Sequence, residues 1–261
     1  MKIGFIGCGN MGGALARSVA RVSYASILVY DKDTDKAKAL ADEIAATATE
    51  LEEVVKCDYI FLGVKPNLVG EVLGGIKDIV GGDAVIVSMA AGVAIGKITD
   101  ALDRDIDVIR IMPNTPVAYG EGMILYTVSE GISEYKVERF LDIMKFAGEL
   151  DRIPESLIDA GSAVSGCGPA FVFMFIEALA DGGVAAGLPR EKAMQYAAQT
   201  VLGAAKTVML SGKHPAVLKD AVCSPGGSTI EGVLALEEGG MRNAVSDAIR
   251  RSFEKTKKLG K

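Results

Sequence analysis

The six residues directly behind the first strand-like run constrain this chain more than any others. Residues 2–6 are strand-like and apolar after Lys2, and Gly7-Cys8-Gly9-Asn10-Met11-Gly12 follows without a break, leading into an amphipathic stretch over 11–21. A strand, a glycine turn and a helix in that order predict the first half of a βαβ unit. Gly7 permits the tight turn, Gly9 lets backbone approach a pyrophosphate, and Gly12 lets helix and strand pack closely. The amino end of the helix then offers free amides and a positive dipole end to an anion. Elsewhere in a chain the same pattern is an ordinary glycine-rich turn. Its position here predicts a dinucleotide site.

The rest of the first half repeats the alternation. Further strands are expected at 27–30, 59–64, 84–88, 108–111 and 123–127, with crossover helices over 34–46 and 68–80. Nearly continuous apolar character in the strands fits a parallel sheet covered on both faces. The expected fold class is α/β: a Rossmann-type doubly wound domain over 1–154, followed by an all-helical domain over 155–261. After Pro154 the sequence turns Ala-, Leu- and Met-rich, punctuated by Gly187-Leu188-Pro189, Lys213-His214-Pro215 and Pro225-Gly226-Gly227. Residues 170–186 are apolar on nearly every face apart from Glu177 and Asp181, which predicts packing against a second subunit. A central helix wrapped by its own domain is the alternative.

Composition excludes several classes. A net charge of -6 gives no footprint for phosphodiester polymers, so nucleic acid is not an expected partner. Cys8, Cys57, Cys167 and Cys223 form no CxxC pair, so neither zinc nor a disulfide framework is expected, and no metal site is assigned. No cationic leader precedes the first strand, which places the chain in the cytoplasm by expectation. The longest charge-free apolar stretch, 160–176, contains Gly166, Gly168 and Pro169 and reads as too short and too broken for a membrane span.

Strand ends supply the remaining cofactor candidates. Asp31 closes the second strand 19 residues beyond Gly12, where an acidic group accepts hydrogen bonds from ribose hydroxyls and favours NAD. Lys32 and Lys36 follow within a turn and are alternatives that pair with a 2′-phosphate, or else a solvated helix face. Val64-Lys65-Pro66, Ala90-Ala91-Gly92 and Pro113-Asn114-Thr115-Pro116 stand where open α/β sheets place ligands, with Val64, Lys65, Pro66, Ala90, Ala91 and Asn114 as candidate cofactor contacts. Strand termination explains their prolines and glycines equally well.

In the second half, residues 219–231 run Lys-Asp-Ala-Val-Cys-Ser-Pro-Gly-Gly-Ser-Thr-Ile-Glu. Glycines and hydroxyls there lead straight into a helix whose first amides, with Ser224, Ser228 and Thr229, suit a small carboxylate. A Ser or Thr N-cap without a ligand is the other reading. These motifs, taken with Ile3 to Gly12, Val64-Lys65-Pro66, Met112-Pro113-Asn114-Thr115-Pro116, Ser165-Gly166-Cys167-Gly168-Pro169-Ala170, residues 177–184 and His214-Pro215, resemble the pyrroline-5-carboxylate reductase family along essentially the whole chain. The resemblance implies reduction of L-1-pyrroline-5-carboxylate to L-proline by NADPH or NADH, the last step of proline biosynthesis. It also implies a helical dimerisation domain, with homodimers assembling into larger rings such as a decamer. Carried onto these residues, it makes Thr229 the catalytic hydroxyl near the substrate nitrogen, and Ser224, Gly227, Ser228 and Thr229 the substrate-binding set. The chain departs from many relatives at Cys167 and Phe171, where they have Ser and Tyr. At Asp31 they carry small or hydroxyl residues suited to NADP.

The chemistry fits an imine. A carbonyl reductase needs a proton donor for a developing alkoxide, whereas the single histidine, His214, lies in a turn far from the nucleotide motifs and reads as a surface residue. A protonated iminium accepts hydride at carbon and leaves a neutral amine that water protonates, so Thr229 need only orient the nitrogen. A β-hydroxyacid dehydrogenase is disfavoured because Val172 stands where its GxGxxxK motif requires lysine. A dinucleotide-sensing protein without turnover is disfavoured by the intact Ser224 and Thr229. Cys8, Cys167 and Cys223 fall in the proposed ligand loops, as oxidation-sensitive thiols or as small residues filling tight turns.

Overall fold

The computed structural model describes residues 1–259. The chain divides into two compact units, one of residues 1–167 joined by the end of the last helix from Arg251, the other of residues 168–250.

In the first unit the elements are β1 (Lys2–Ile6), α1 (Asn10–Val19), β2 (Ser26–Tyr30), α2 (Thr34–Ile44), β3 (Thr47–Ala48), α3 (Leu51–Val54), β4 (Tyr59–Leu62), α4 (Val69–Ile76), β5 (Val85–Ser88), α5 (Ile95–Leu102), β6 (Asp107–Met112), β7 (Gly122–Val128), α6 (Glu134–Met144), β8 (Gly148–Arg152) and α7 (Glu155–Ser165). The strands form one sheet in the order β3-β2-β1-β4-β5-β6-β7-β8. All neighbours are parallel except β6 and β7. The expected parallel arrangement therefore fails at the sixth expected strand, β7. Only a short 3₁₀ turn over Thr115–Tyr119 joins β6 to β7, too little chain for the crossover that a parallel neighbour needs.

Alternate strand residues feed two cores. Tyr59 and Phe61 join Ile3, Phe5, Val85 and Val87 against α1, α2 and α6, while Ile60 and Leu62 join Ile6 and Ile86 against α3, α4 and α5. Phe5 and Phe61 stack with centroids 4.6 Å apart. β1, β4 and β5 are thus covered on both faces, as their apolar runs predict.

Helix α7 is fixed to the β6–β7 pair by polar and apolar contacts together. Ile158 packs with Met112 and Leu125. The buried Arg110 guanidinium donates to Glu155 at 3.2 Å and to Asp159 at 2.7 Å, while the same Glu155 oxygen accepts the Ile95 amide at 2.8 Å.

The second unit is helical throughout: α8 (Gly168–Ala185), α9 (Arg190–Ser211), α10 (Pro215–Ala221), α11 (Ser228–Glu238) and most of α12 (Met241–Leu259). Ala180, Ala193 and Ala197 let α8 and α9 pack closely, flanked by Ile176 and Val184. Of the 18 residues of α8 only Ala180 is buried, and Phe173, Met174, Met209 and Leu210 are all exposed. Helix α8 is therefore not wrapped by the other helices of its own unit. The helical run Glu155–Ala185 also has the length and composition of a membrane span, with one break at Gly166-Cys167. The interruption expected from the sequence falls at Gly166-Cys167, since Gly168 and Pro169 occupy the first turn of α8, where proline costs no helix hydrogen bond.

Candidate functional site

The switch in strand order falls between β1 and β4, because the chain leaves β3 at one side of β1 and returns on the other. A crevice at the carboxyl ends of these strands is where open α/β sheets take ligands. Gly7 and Gly63 meet at that point. A Cβ on Gly7, whose φ is +101°, would lie 2.7 Å from the Gly63 carbonyl oxygen, and one on Gly12 would lie 2.1 Å from the Gly7 oxygen. Around Gly9, by contrast, a Cβ would meet nothing within 4 Å. The outer glycines hold strand to helix, and the middle one faces open space. Gly63 escaped the sequence reading because it matches no motif. Its signal is its position directly after β4 and before Val64-Lys65-Pro66.

Helix α1 begins beside this space with Gly9 as its N-cap, no side-chain cap and no acidic residue in its first turn. Its leading amides are therefore unopposed donors for an anion. The loop is braced from β2: the Gly7 amide donates to the Tyr30 carbonyl at 2.7 Å, and the Cys8 amide to Asp31 Oδ2 at 2.7 Å. Asp31 Oδ1 accepts the Asp33 amide at 2.9 Å. Burial, followed by the nearby Asp31 carboxylate, pushes the Cys8 thiol up to about 11. A neutral thiol in a tight loop is a poor nucleophile.

The other candidates fall at neighbouring strand ends. Val64 and Pro66 are half-buried, Lys65 is exposed, Ala90 is buried and Ala91 half-buried. Asn114 is buried, and its side chain is committed to the protein: Oδ1 accepts the Met123 amide at 3.0 Å and Nδ2 donates to the Ser165 carbonyl at 3.0 Å.

In the second unit, Gly226 turns the chain with φ +67° and the Gly227 amide donates to the Ser224 carbonyl at 3.0 Å. Extended Gly227 is the N-cap of α11, and no side chain caps that helix. Ser228 and Thr229 are therefore its first two helical residues, and the alternative of a Ser or Thr N-cap is set aside. Ser224, Ser228 and Thr229 are exposed in the single chain, beside uncapped amides that suit a carboxylate, although Glu231 also lies in the first turn. His214 is exposed and has a local job: its Nδ1 accepts the Ala216 amide at 3.2 Å as the N-cap of α10. Among the described residues no cluster of three or more His, Cys, Asp or Glu side chains is placed to hold a metal.

Comparison with known proteins agrees with this geometry. A family model described as pyrroline-5-carboxylate reductase dimerisation matches residues 155–259, and one described as NADP oxidoreductase, coenzyme F420-dependent, matches residues 2–92. Over its full length the chain is 44% identical to pyrroline-5-carboxylate reductase of Escherichia coli, spanning 98% of that protein. It superposes on pyrroline carboxylate reductase of Plasmodium falciparum, solved with NADP bound, with a TM-score of 0.90 at 33% identity, over 100% of this chain and 98% of that one. The pyrroline-5-carboxylate reductase of Streptococcus pyogenes gives a TM-score of 0.89 at 32% identity, over 99% and 98%. A Rossmann half with an open glycine cradle and a helical dimerisation half thus define an NAD(P)H-dependent oxidoreductase. The chain belongs to the pyrroline-5-carboxylate reductase family.

Proposed function

We propose that this chain reduces L-1-pyrroline-5-carboxylate to L-proline, the last step of proline biosynthesis, using NADPH or NADH. Full-length similarity to the E. coli reductase carries the reading, because the match spans the whole chain and not one domain of it. Residues 1–154 serve as the dinucleotide-binding domain and 155–261 as the substrate-binding and dimerisation domain.

The amides of Asn10, Met11 and Gly12 hold the pyrophosphate, with Gly7, Cys8 and Gly9 shaping the loop. Asp31 serves the adenosine ribose, and Val64, Lys65, Pro66, Ala90 and Ala91 line the path toward the nicotinamide. Asn114 acts through the backbone it fixes. Bound there, the nicotinamide supplies a hydride, and the protein supplies position. Ser224, Gly227 and Ser228 hold the substrate carboxylate at the amino end of α11. The Thr229 hydroxyl accepts a hydrogen bond from the protonated imine nitrogen and aligns the adjacent carbon for hydride. The product amine takes its further proton from water, so no histidine is required.

The apolar face of α8 and α9 belongs against a second copy of the chain in a homodimer, which can build a larger ring such as a decamer. The enzyme works in the cytoplasm. Incubating purified protein with L-1-pyrroline-5-carboxylate and each reduced cofactor tests the reading. Proline should form in step with cofactor oxidation. Cofactor binding without any proline would leave a dinucleotide-sensing protein instead.

A further inference from the structure

The surroundings of Asp31 bear on which cofactor is used. Its carboxylate is not a swinging surface group. Oδ2 is held by the Cys8 amide at 2.7 Å and Oδ1 by the Asp33 amide at 2.9 Å, which fixes a negative charge at the end of β2. A carboxylate has about four acceptor positions, so two remain for ribose hydroxyls.

Apart from the exposed Lys32, the groups able to attract a 2′-phosphate are offset by neighbouring carboxylates. Lys36 pairs with Asp33 at 3.0 Å, and Asp33 is itself the N-cap of α2, accepting the Lys36 amide. The amino end of α2, an anion site if left open, is thereby capped, and Asp35 adds a further charge to its first turn. A cavity of about 320 Å³ beside Asp31 is lined by Thr34, Lys38, Thr49 and Glu50, so its one lysine shares the space with two carboxylates. From Tyr30 to Glu50 the sequence has no arginine, and six carboxylates face three lysines.

We propose that this chain selects NADH over NADPH, with Asp31 as the discriminating residue. The inference rests on the oxidoreductase reading above and goes beyond it. Like charges brought together in recognition are strongly unfavourable, and a preference of at least about tenfold in affinity is expected.

Equilibrium titration by cofactor fluorescence tests this without turnover. The wild-type chain should bind NADH at least about tenfold more tightly than NADPH. Added salt should narrow the gap, because it screens the repulsion. Asp31→Asn, which keeps the shape and an acceptor for one amide, should bring the two affinities toward parity. If that variant does not fold, the wild-type ratio and its salt dependence decide alone. Tighter NADPH binding by the wild type, a ratio that salt widens, or an unchanged ratio in folded Asp31→Asn would overturn the proposal. Strong NADH preference without proline formation would remove the assigned reaction and leave the selectivity standing. Proline formation with NADPH favoured would do the reverse.

Discussion

Asn114 Nδ2 donates to the Ser165 carbonyl at 3.0 Å, joining the end of β6 to the last turn of α7 just before the helical unit begins. The same side chain accepts the Met123 amide at the start of β7. One buried amide therefore serves two backbone groups from different elements. Asn114→Ala should cost about 1–3 kcal/mol for each group left unpaired. Asn114→Asp keeps the acceptor for Met123 but turns an oxygen toward Ser165, and should retain the smaller part of that stability. Urea unfolding of both variants measures the difference, and an Ala variant as stable as wild type would show that water replaces both bonds.

Arg110 predicts an asymmetry. Its side chain is 4% exposed, whereas those of Glu155 and Asp159 are 35% and 26% exposed. Removing a carboxylate strands a buried cation, while removing the cation leaves two carboxylates that water reaches. Asp159→Asn should cost about 1–3 kcal/mol, below the 3–5 of a fully buried pair. Arg110→Met should cost less, since it also removes the buried Nε that has no partner. The opposite order of midpoints in urea would contradict this account of α7.

Stability at alkaline pH should report Cys57. Burial, then Asp58, pushes this thiol from 9.0 up to about 11. Between those values the unfolded chain has released the proton and the folded chain has not, so folding stability falls as pH rises. The thiol's contribution is complete below pH 9.0 and is lost by about 11. Cys57→Ala should flatten the decline over that window relative to wild type. Parallel declines would place the titration elsewhere.

The uncovered face of α8 and α9 predicts obligate association. Phe173 is 60% exposed in the single chain and stands among Val172, Met174 and Leu179, which are also exposed. Phe173→Glu should shift the protein from dimer or larger toward monomer in light scattering and abolish proline formation in the same samples. A fully active monomeric wild type at assay concentration would rule out obligate association.

What the sequence disclosed about the fold follows the energetics of burial. β1, β4 and β5 lie under helices on both faces and are apolar along most of their length, so their runs stand out. β3 is two exposed residues, and β8 reads Gly-Glu-Leu-Asp-Arg, with only its leucine apolar. Edge strands held by backbone bonds need no hydrophobic run, and neither was expected. The reversal of β7 is encoded in the short link after Met112, and α6, which was not expected, carries its signal in Ser133, which caps the Lys136 amide. At the site, Gly7 and Gly12 stand where a Cβ would strike backbone, while Gly9 was legible from its place in the motif. The commitments of Asn114 and Asp31 were not, since a polar residue at a strand end looks the same whether it faces a ligand or the chain's own amides.

Thr229 carries the central assignment. It is the second residue of α11 and caps nothing, so helix stability should not depend on its hydroxyl. Thr229→Ser keeps the hydroxyl, whereas Thr229→Val keeps the shape and loses a bond to a charged nitrogen worth about 1–3 kcal/mol. The decisive measurement is kcat/KM for proline formation by both variants, alongside their melting temperatures. The account predicts near-wild-type melting for both, substantial activity in the Ser variant, and a loss of about 10- to 100-fold in the Val variant. A Val variant that forms proline as fast as wild type would contradict it.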